Sequence, residues 1–508
     1  MAFWKKPRET ELLPRNKEDI VREMWSPKKT ADQLFNVKSY GAIGDGKADD
    51  RKALQKAIDA AYGTNKGGNL FFPPGLYRIS GPVEVPEWGK AAVSWIGHSS
   101  ETTRIAPSEP MDYLVRMRGG SGSVKGIQFI GSDPENGYVQ LAKVCMLASD
   151  IRDKLFSGAA FTWGSVHGLQ ILGDGNNNLC VFDRLCQFSQ NGTVIEGNGA
   201  TGQGTNISFL NLNPEARDVH VGAYFKVGSG EGSVYHIDEV GTGSITVSPP
   251  LKEKIFPGTS YKIHLGCGLQ TDRGSDNNVY GIYDCHFVGN AATGLMVRGL
   301  YGHHIQGGNF DSNGIAGIHI GSGAINITPA YSGSINHSYF ESNGYANVLL
   351  DYAAGLSIIE PLLAAPADGV ASGIASITSL YSEDYQYNTT SILYMGRLHQ
   401  YVPGPGGSRS PLDMKDEPRI TVNKKNGTAE VETVKLPPAP MHKFSEELEI
   451  FVEHSGGQEV RLVCDSVKVN NKPGQEGVLA PAGVGYKITA YYNRQDKSWM
   501  VSHTIPLS

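Results

Sequence analysis

No apolar run in this 508-residue chain is long enough to cross a bilayer as a helix. The opening stretch, MAFWKKPRETELLPRNKED, lacks the apolar centre of a secretory signal, which argues against Sec export. Charged residues are scarce at 19 %, the formal net charge is −6, and no basic stripe appears, so nucleic acid is a poor partner. Cys145, Cys180, Cys186, Cys267, Cys285 and Cys464 show no metal-ligand spacing, so buried free thiols are expected rather than a disulfide framework, and no metal or cofactor is expected. Helical periodicity is rare. Glycine is not: 63 residues, about 12 % against a usual ~7 %, imply many tight turns.

What the chain does have is repetition. IYDCHFVGN, IQGGNFDSN and INHSYFESN align Ile282, Ile305 and Ile335 in one column and Phe287, Phe310 and Phe340 in another, with Asn290, Asn313 and Asn343 in a third. A short strand follows each asparagine (GLMVR, GIHIG, NVLLD), and CQFSQNG at 186–192 is a weaker, earlier copy. A period of about 23 to 30 residues without a helix reads as a solenoid whose coils bury their faces only by stacking. Alternation turns Ile, Val and Phe inward, and the asparagines are expected to bond coil to coil at a turn. We read a right-handed parallel β-helix.

Upstream, NVKSYGAIGDGKADDRKALQKAIDAA and GGNLFFPPGLYRIS predict a glycine-rich turn and a helix near 49–62. Ala53, Leu54, Ala57, Ile58 and Ala61 form its apolar face, and Asp49 and Asp50 favour its amino end. Such a helix would cap the open end of the solenoid. The GxGD wording is no phosphate loop, since GxxxxGK[ST] is missing. YGAIGDGKADD, a helix and FFPPGLYRIS resemble the opening of the pectate-lyase-like β-helix superfamily, which includes bacteriophage tailspikes, polysaccharide lyases and hydrolases, and mannuronan epimerases. The resemblance implies the fold; the reaction has to be argued separately. The polygalacturonase set (NTD, DD, GHG, RIK), the epimerase DPHE motif and a lyase RxPxxR arginine are all missing.

The expected organisation is a segment at 1–35, read as a docking peptide over a loose tail and with one short helix from Asn16 to Met24, then a trunk at 36–396, a linker at 397–415 and a carboxy-terminal unit at 416–508. Period breaks between 197 and 266, where antiparallel-looking strands predict a small β module inserted between coils, lining a groove or gripping a neighbour. From Arg419 onward, ITVNK, AEVETVKL, LEIFVEH, EVRLVCD, YKITAYYN and SWMVSHT alternate cleanly and predict an antiparallel β-sandwich.

Asp311 and Glu341 each follow a column phenylalanine, so inward rings put both carboxylates outward on adjacent coils. Parallel strands ~4.8 Å apart bring such a pair to about 5–6 Å, near the ~5–5.5 Å of a retaining glycosidase. FDSN and FESN are equally good solvent-facing turns. His286, Asn309 and Tyr339 occupy the column before the phenylalanines as candidate sugar contacts. His319, between Ile318 and Ile320, should face out, with Arg298 nearby as a candidate for β-elimination chemistry. Asp272 and Asp276 are candidates for the lip of a groove, and Tyr381, Tyr385 and Tyr387 for packing or sugar stacking. By its resemblance the chain is expected to be a tailspike-like depolymerase: a homotrimer in a virion, attached to the phage tail or baseplate through its first residues, hydrolysing a bacterial capsule, exopolysaccharide or O-antigen. The rival expectations are a secreted lyase or epimerase, and a spike that only binds glycan.

Overall fold

The computed structural model describes residues 34–363 apart from 65–66, 87–91, 174–175, 184, 229–233, 273–275, 299–300, 322–329, 352 and 360–361. Beyond these it describes chiefly the strands between 372 and 504. Residues 1–33 of the proposed docking segment, the tyrosines of 381–387 and the Pro/Gly stretch at 401–411 lie outside the described residues, and the last two residues of that segment, Leu34 and Phe35, already belong to the first trunk strand.

The trunk is a right-handed parallel β-helix built from three sheets of eleven, ten and nine described strands, which we call A, B and C. Each coil contributes one strand to each sheet, and every ladder between neighbouring coils is parallel, from Leu34–Asn36 to Leu393–Met395. Because a coil has no partner for its apolar face except the next coil, like side chains stack. Phe129, Phe161, Phe188, Phe287, Phe310 and Phe340 form one column, with successive rings 4.8 to 5.3 Å apart. The ring spacing follows the strand spacing. Two of these rings, Phe129 and Phe161, lie upstream of CQFSQNG; Phe129 belongs to VKGIQFIG, which the sequence already offers as an early coil.

The amide ladder runs beside it. Asn191, Asn290, Asn313 and Asn343 are buried, and each of the first three donates from Nδ2 to Oδ1 of the next at 2.9–3.0 Å. The same Nδ2 groups also donate to a phenylalanine carbonyl one coil back, as Asn313 does to Phe287. A turn residue with positive φ stands before each asparagine: Gln190, Gly289, Ser312 and Ser342, between 52° and 66°. That left-handed geometry costs an ordinary residue roughly 1–2 kcal/mol, which the ladder offsets.

Helix α1 (Arg51–Tyr62) closes the amino-terminal end, its Leu54, Ala57, Ile58 and Ala61 joining the trunk core. Asp49 receives the Arg51 amide at 3.1 Å, while Asp50 turns away to accept from Ile43 and Gly44 in the glycine-rich turn. All six cysteines are buried and none is in a disulfide.

Seven antiparallel strands between Thr193 and Leu265 form a separate sheet with its own core of Phe209, Phe225, Tyr235, Ile237, Val247 and Ile263. Its first and last strands pair, Thr193 opposite Leu265, so the chain leaves and re-enters the trunk at one point. Gly266 makes the re-entry with φ +77°, where a Cβ would sit 1.5 Å from the Val166 carbonyl oxygen. Trunk register is therefore unbroken: Phe188 pairs with Phe287 across 99 positions of sequence.

The carboxy-terminal unit is all-β in two sheets, but mixed in direction where antiparallel pairing was expected. The chain alternates between the sheets, so 412–413, 432–435 and 460–463 run parallel, as do 419–423 and 447–454. Only the later pairs, such as 486–493 with 498–504, are antiparallel. Alternating sequence reports one buried face; it carries no information on the direction of the neighbouring strand.

Candidate functional site

On sheet B the register places the candidate residues as their columns demand. His286, Asn309 and Tyr339 are direct partners, and so are Asp311 and Glu341. With Phe310 and Phe340 fully buried, alternation sends all five outward, and all are half-buried. Asp311 accepts from the Ser312 hydroxyl through Oδ1 at 2.7 Å, and Glu341 from the Tyr339 hydroxyl through Oε2 at 2.6 Å. Among the described residues the second oxygen of each takes no hydrogen bond. The bond to Glu341, ahead of burial and the charges of Glu341 and Asp311, raises the Tyr339 phenol above its ordinary range. Asn309, between them in the row, holds a buried Oδ1 with no donor. A buried acceptor of this kind is normally satisfied.

A second group lies where the inserted sheet meets sheet C. Asp272, 23 % exposed, accepts from the Gln170 and Gln270 amides at 2.6 and 2.5 Å and faces the Arg298 guanidinium at 3.8 Å. Arg298 also donates to the Gly222 carbonyl of the module, and its Nε is buried without a partner. Asp272 is thus drawn into the junction instead of standing at a free lip. Asp276 lies on the strand Asp276–Tyr283 in register with Asn176; its side chain is outside the described residues.

His319 corrects the sequence expectation. It does leave the coil interior, but the module covers it completely: its Nδ1 meets the Tyr224 hydroxyl at 2.5 Å and its ring stacks on His236 at 5.3 Å. Periodicity assigned the side of the strand, and a distant insertion decided what covers that side. Sequence reading missed the partners entirely, since Gln170, His167 and His220 reach this junction from about fifty to a hundred residues away. Strand repeats alone carry no signal for them.

The junction is lined by histidines held neutral. Burial lowers His264 to about 4 and sets His167 well below its usual value, with His220 and Arg298 adding repulsion; burial also lowers His220. His264 Nδ1 is bonded to the Ala291 carbonyl at 2.6 Å. In the unfolded chain these rings protonate near 6.5, so between that pH and about 4 the unfolded state binds more protons. Stability is therefore lost as pH falls through this window, about 1.4 kcal/mol for each unit of depression. Hydrogen exchange should show strands 193–265 losing protection before the coils of 68–130 as pH is taken from 7 to 4.5; equal loss in both would refute it.

Among the described residues no helix is long and apolar enough to cross a membrane. Residues 34–106 match the family described as rhamnogalacturonase A/epimerase, pectate lyase-like. The chain is 48 % identical over 63 residues to plasmin and fibronectin-binding protein A of Streptococcus pneumoniae, covering 12 % of this chain and 9 % of that protein. It is 54 % identical over 50 residues to mannuronan C5-epimerase AlgE6 of Azotobacter vinelandii, covering 10 % and 6 %. These matches thus span less than a tenth of the relatives' lengths. Among solved structures, the Streptococcus pneumoniae surface adhesin PfbA aligns at TM-score 0.43 and 14 % identity over 94 % of this chain and 99 % of that one. ORF18 of Geobacillus virus E2 aligns at 0.40 and 12 %, over 96 % and 77 %. The match to a pectate lyase-like family is thus confined to the opening of the trunk, which continues as a parallel β-helix.

Proposed function

We propose that this pectate-lyase-like β-helix acts on a polysaccharide, and that it cleaves a bacterial surface glycan by hydrolysis at Asp311 and Glu341. The observation that carries the reading is the registered carboxylate pair on sheet B, one free oxygen on each, flanked by the Asn309 acceptor and by Tyr339. Strand spacing sets such a pair near the separation at which one carboxyl protonates the leaving oxygen while the other attacks the anomeric carbon. Ser312 and Tyr339 would orient them, and His286 and Asn309 would hold sugar hydroxyls. The matched family, described as including a rhamnogalacturonase and an epimerase, supports a polysaccharide as substrate.

The tailspike form belongs to the same proposal: a homotrimer that buries the long flank of the solenoid, located in a virion or otherwise extracellular, with residues 1–35 docking to a phage tail. It rests on the resemblance of the opening motif. Light scattering that finds a monomer across working concentrations would remove the trimer.

Elimination or epimerisation is the second reading, favoured by Arg298, whose guanidinium could pair with a uronate carboxylate in place of Asp272. Incubation with a panel of capsular and lipopolysaccharide glycans separates the outcomes. Hydrolysis yields new reducing ends without ultraviolet absorbance, elimination yields an absorbing unsaturated uronate, and a panel left intact leaves binding alone.

A further inference from the structure

The turn that carries Ser312 recurs up the trunk with one conspicuous substitution. Thr162, Ser189, Val288, Asp311 and Glu341 occupy one outward column of sheet B. The next residue in each coil has positive φ: Trp163 at 64°, Gln190 at 57°, Gly289 at 66°, Ser312 at 55° and Ser342 at 52°. Small residues flank the carboxylates, and Trp163 stands three strand steps away, about 14 Å.

Trp163 does not stand alone. It packs on an apolar cluster outside the coil core, formed by Leu76, Ala106 and Ile130. Tyr138 lies over it, with ring centroids 5.2 Å apart and planes at 32°. Tyr138 tips a short hairpin, Ser132–Asp133 against Val139–Gln140, and also has positive φ, 59°. Large aromatic residues rarely adopt this conformation, and here two do so in contact. Their backbones are fixed: the Tyr138 amide donates to the Asp133 carbonyl at 2.9 Å, the Trp163 amide to Ser189 at 3.2 Å. The Asp133 side chain is in turn held by Arg78 and Asn136 at 2.5 and 2.6 Å. Despite this scaffolding Tyr138 is 44 % exposed. Strained aromatics held rigid yet left open are a feature of ligand clamps.

We propose that Tyr138, seated on Trp163, is a stacking subsite for a sugar ring of the polymer, which then lies along the turn edge of sheet B toward Asp311 and Glu341. The inference rests on the proposed glycan reading and adds to it the direction of the chain and a remote subsite. An aromatic face offers the apolar face of a pyranose contact area at low entropic cost, and a tyrosine edge remains wet.

The test is affinity electrophoresis of the full chain through gels containing alginate, polygalacturonate, dextran or purified bacterial capsular polysaccharides. Tyr138→Asn removes the ring while keeping a residue that tolerates positive φ; Tyr138→Phe keeps the ring. At least one polymer should retard the wild type and Tyr138→Phe alike, with apparent affinity falling about tenfold in Tyr138→Asn, the size of a lost interface anchor. Equal retardation of Tyr138→Asn, or no retardation of the wild type by any polymer, overturns the proposal. So does altered sedimentation of Tyr138→Asn, which would make the ring a contact between copies. Asp311→Asn should still be retarded; if it also keeps full turnover, the catalytic reading fails while the subsite stands on its own result.

Discussion

Asp311→Asn and Glu341→Gln should each lower turnover by about 10²–10⁴-fold while leaving the fold intact. Both side chains are outside the core and make one side-chain hydrogen bond each, to Ser312 and Tyr339, so the isosteric amides disturb little packing. An amide neither attacks an anomeric carbon nor gives up a proton to a leaving oxygen. If the two act as one machine, the double variant should be scarcely slower than either single one, because removing either member already stops the reaction. Gel retardation by uncleaved glycan should survive in all three. A turn-stabilising role predicts the reverse pattern: a modest drop in melting temperature and nearly unchanged rates. Wild-type turnover in both single variants would move the search to Asp272, Arg298 and the junction with the inserted sheet.

Asn313→Leu should be among the most destabilising single changes in the trunk. Asn313 accepts from the Asn290 amide and side chain at 3.2 and 2.9 Å, and donates to the Phe287 carbonyl at 3.0 Å and the Asn343 side chain at 2.9 Å. Leucine fills similar volume but strands the Asn290 donors and the Phe287 carbonyl where water does not reach. Each stranded group costs about 1–3 kcal/mol, so a loss of roughly 4 kcal/mol or more is expected. Ser312→Gly next door gives the contrast. Among the described residues its side chain bonds only Asp311, and glycine removes the cost of positive φ, so stability should hold within about 1 kcal/mol. Pulse proteolysis over a denaturant series, read on fragments from the trunk, measures both without assuming that the whole chain unfolds in one step. A small effect of Asn313→Leu would mean that phenylalanine stacking, and not the amide ladder, fixes the coil register.

The amino-acid sequence determined the trunk by itself. A solenoid coil can bury its apolar side chains only against the equivalent side chains of the next coil, so the structure must write its period into the chain. Ile282, Phe287 and Asn290 and their two sets of successors therefore predicted inward rings, stacked amides and the outward pairing of Asp311 with Glu341. The capping helix was legible for the same reason, since one apolar face has one surface to cover.

Tertiary structure decided the rest, because it depends on contacts between segments with no common period. His319 sits on the outer side of its strand as alternation requires, yet is buried because a sheet from 193–265 folds back over it. Asp272 is bound by glutamines on its own and the preceding coil and faces Arg298 on the following one, so its surroundings are not written near it. The phenylalanine column extends back to Phe129 through coils that lack the asparagine turn of the later repeat, with Ser132 and Gly164 in its place. Tyr138 and Trp163, twenty-five positions apart in unrelated wording, meet only because a hairpin leans onto the adjacent coil. In the carboxy-terminal unit, the crossing of the chain between two sheets made four of the seven described strand pairings parallel. Period fixes which way a side chain points; only the path of the whole chain fixes what it meets there.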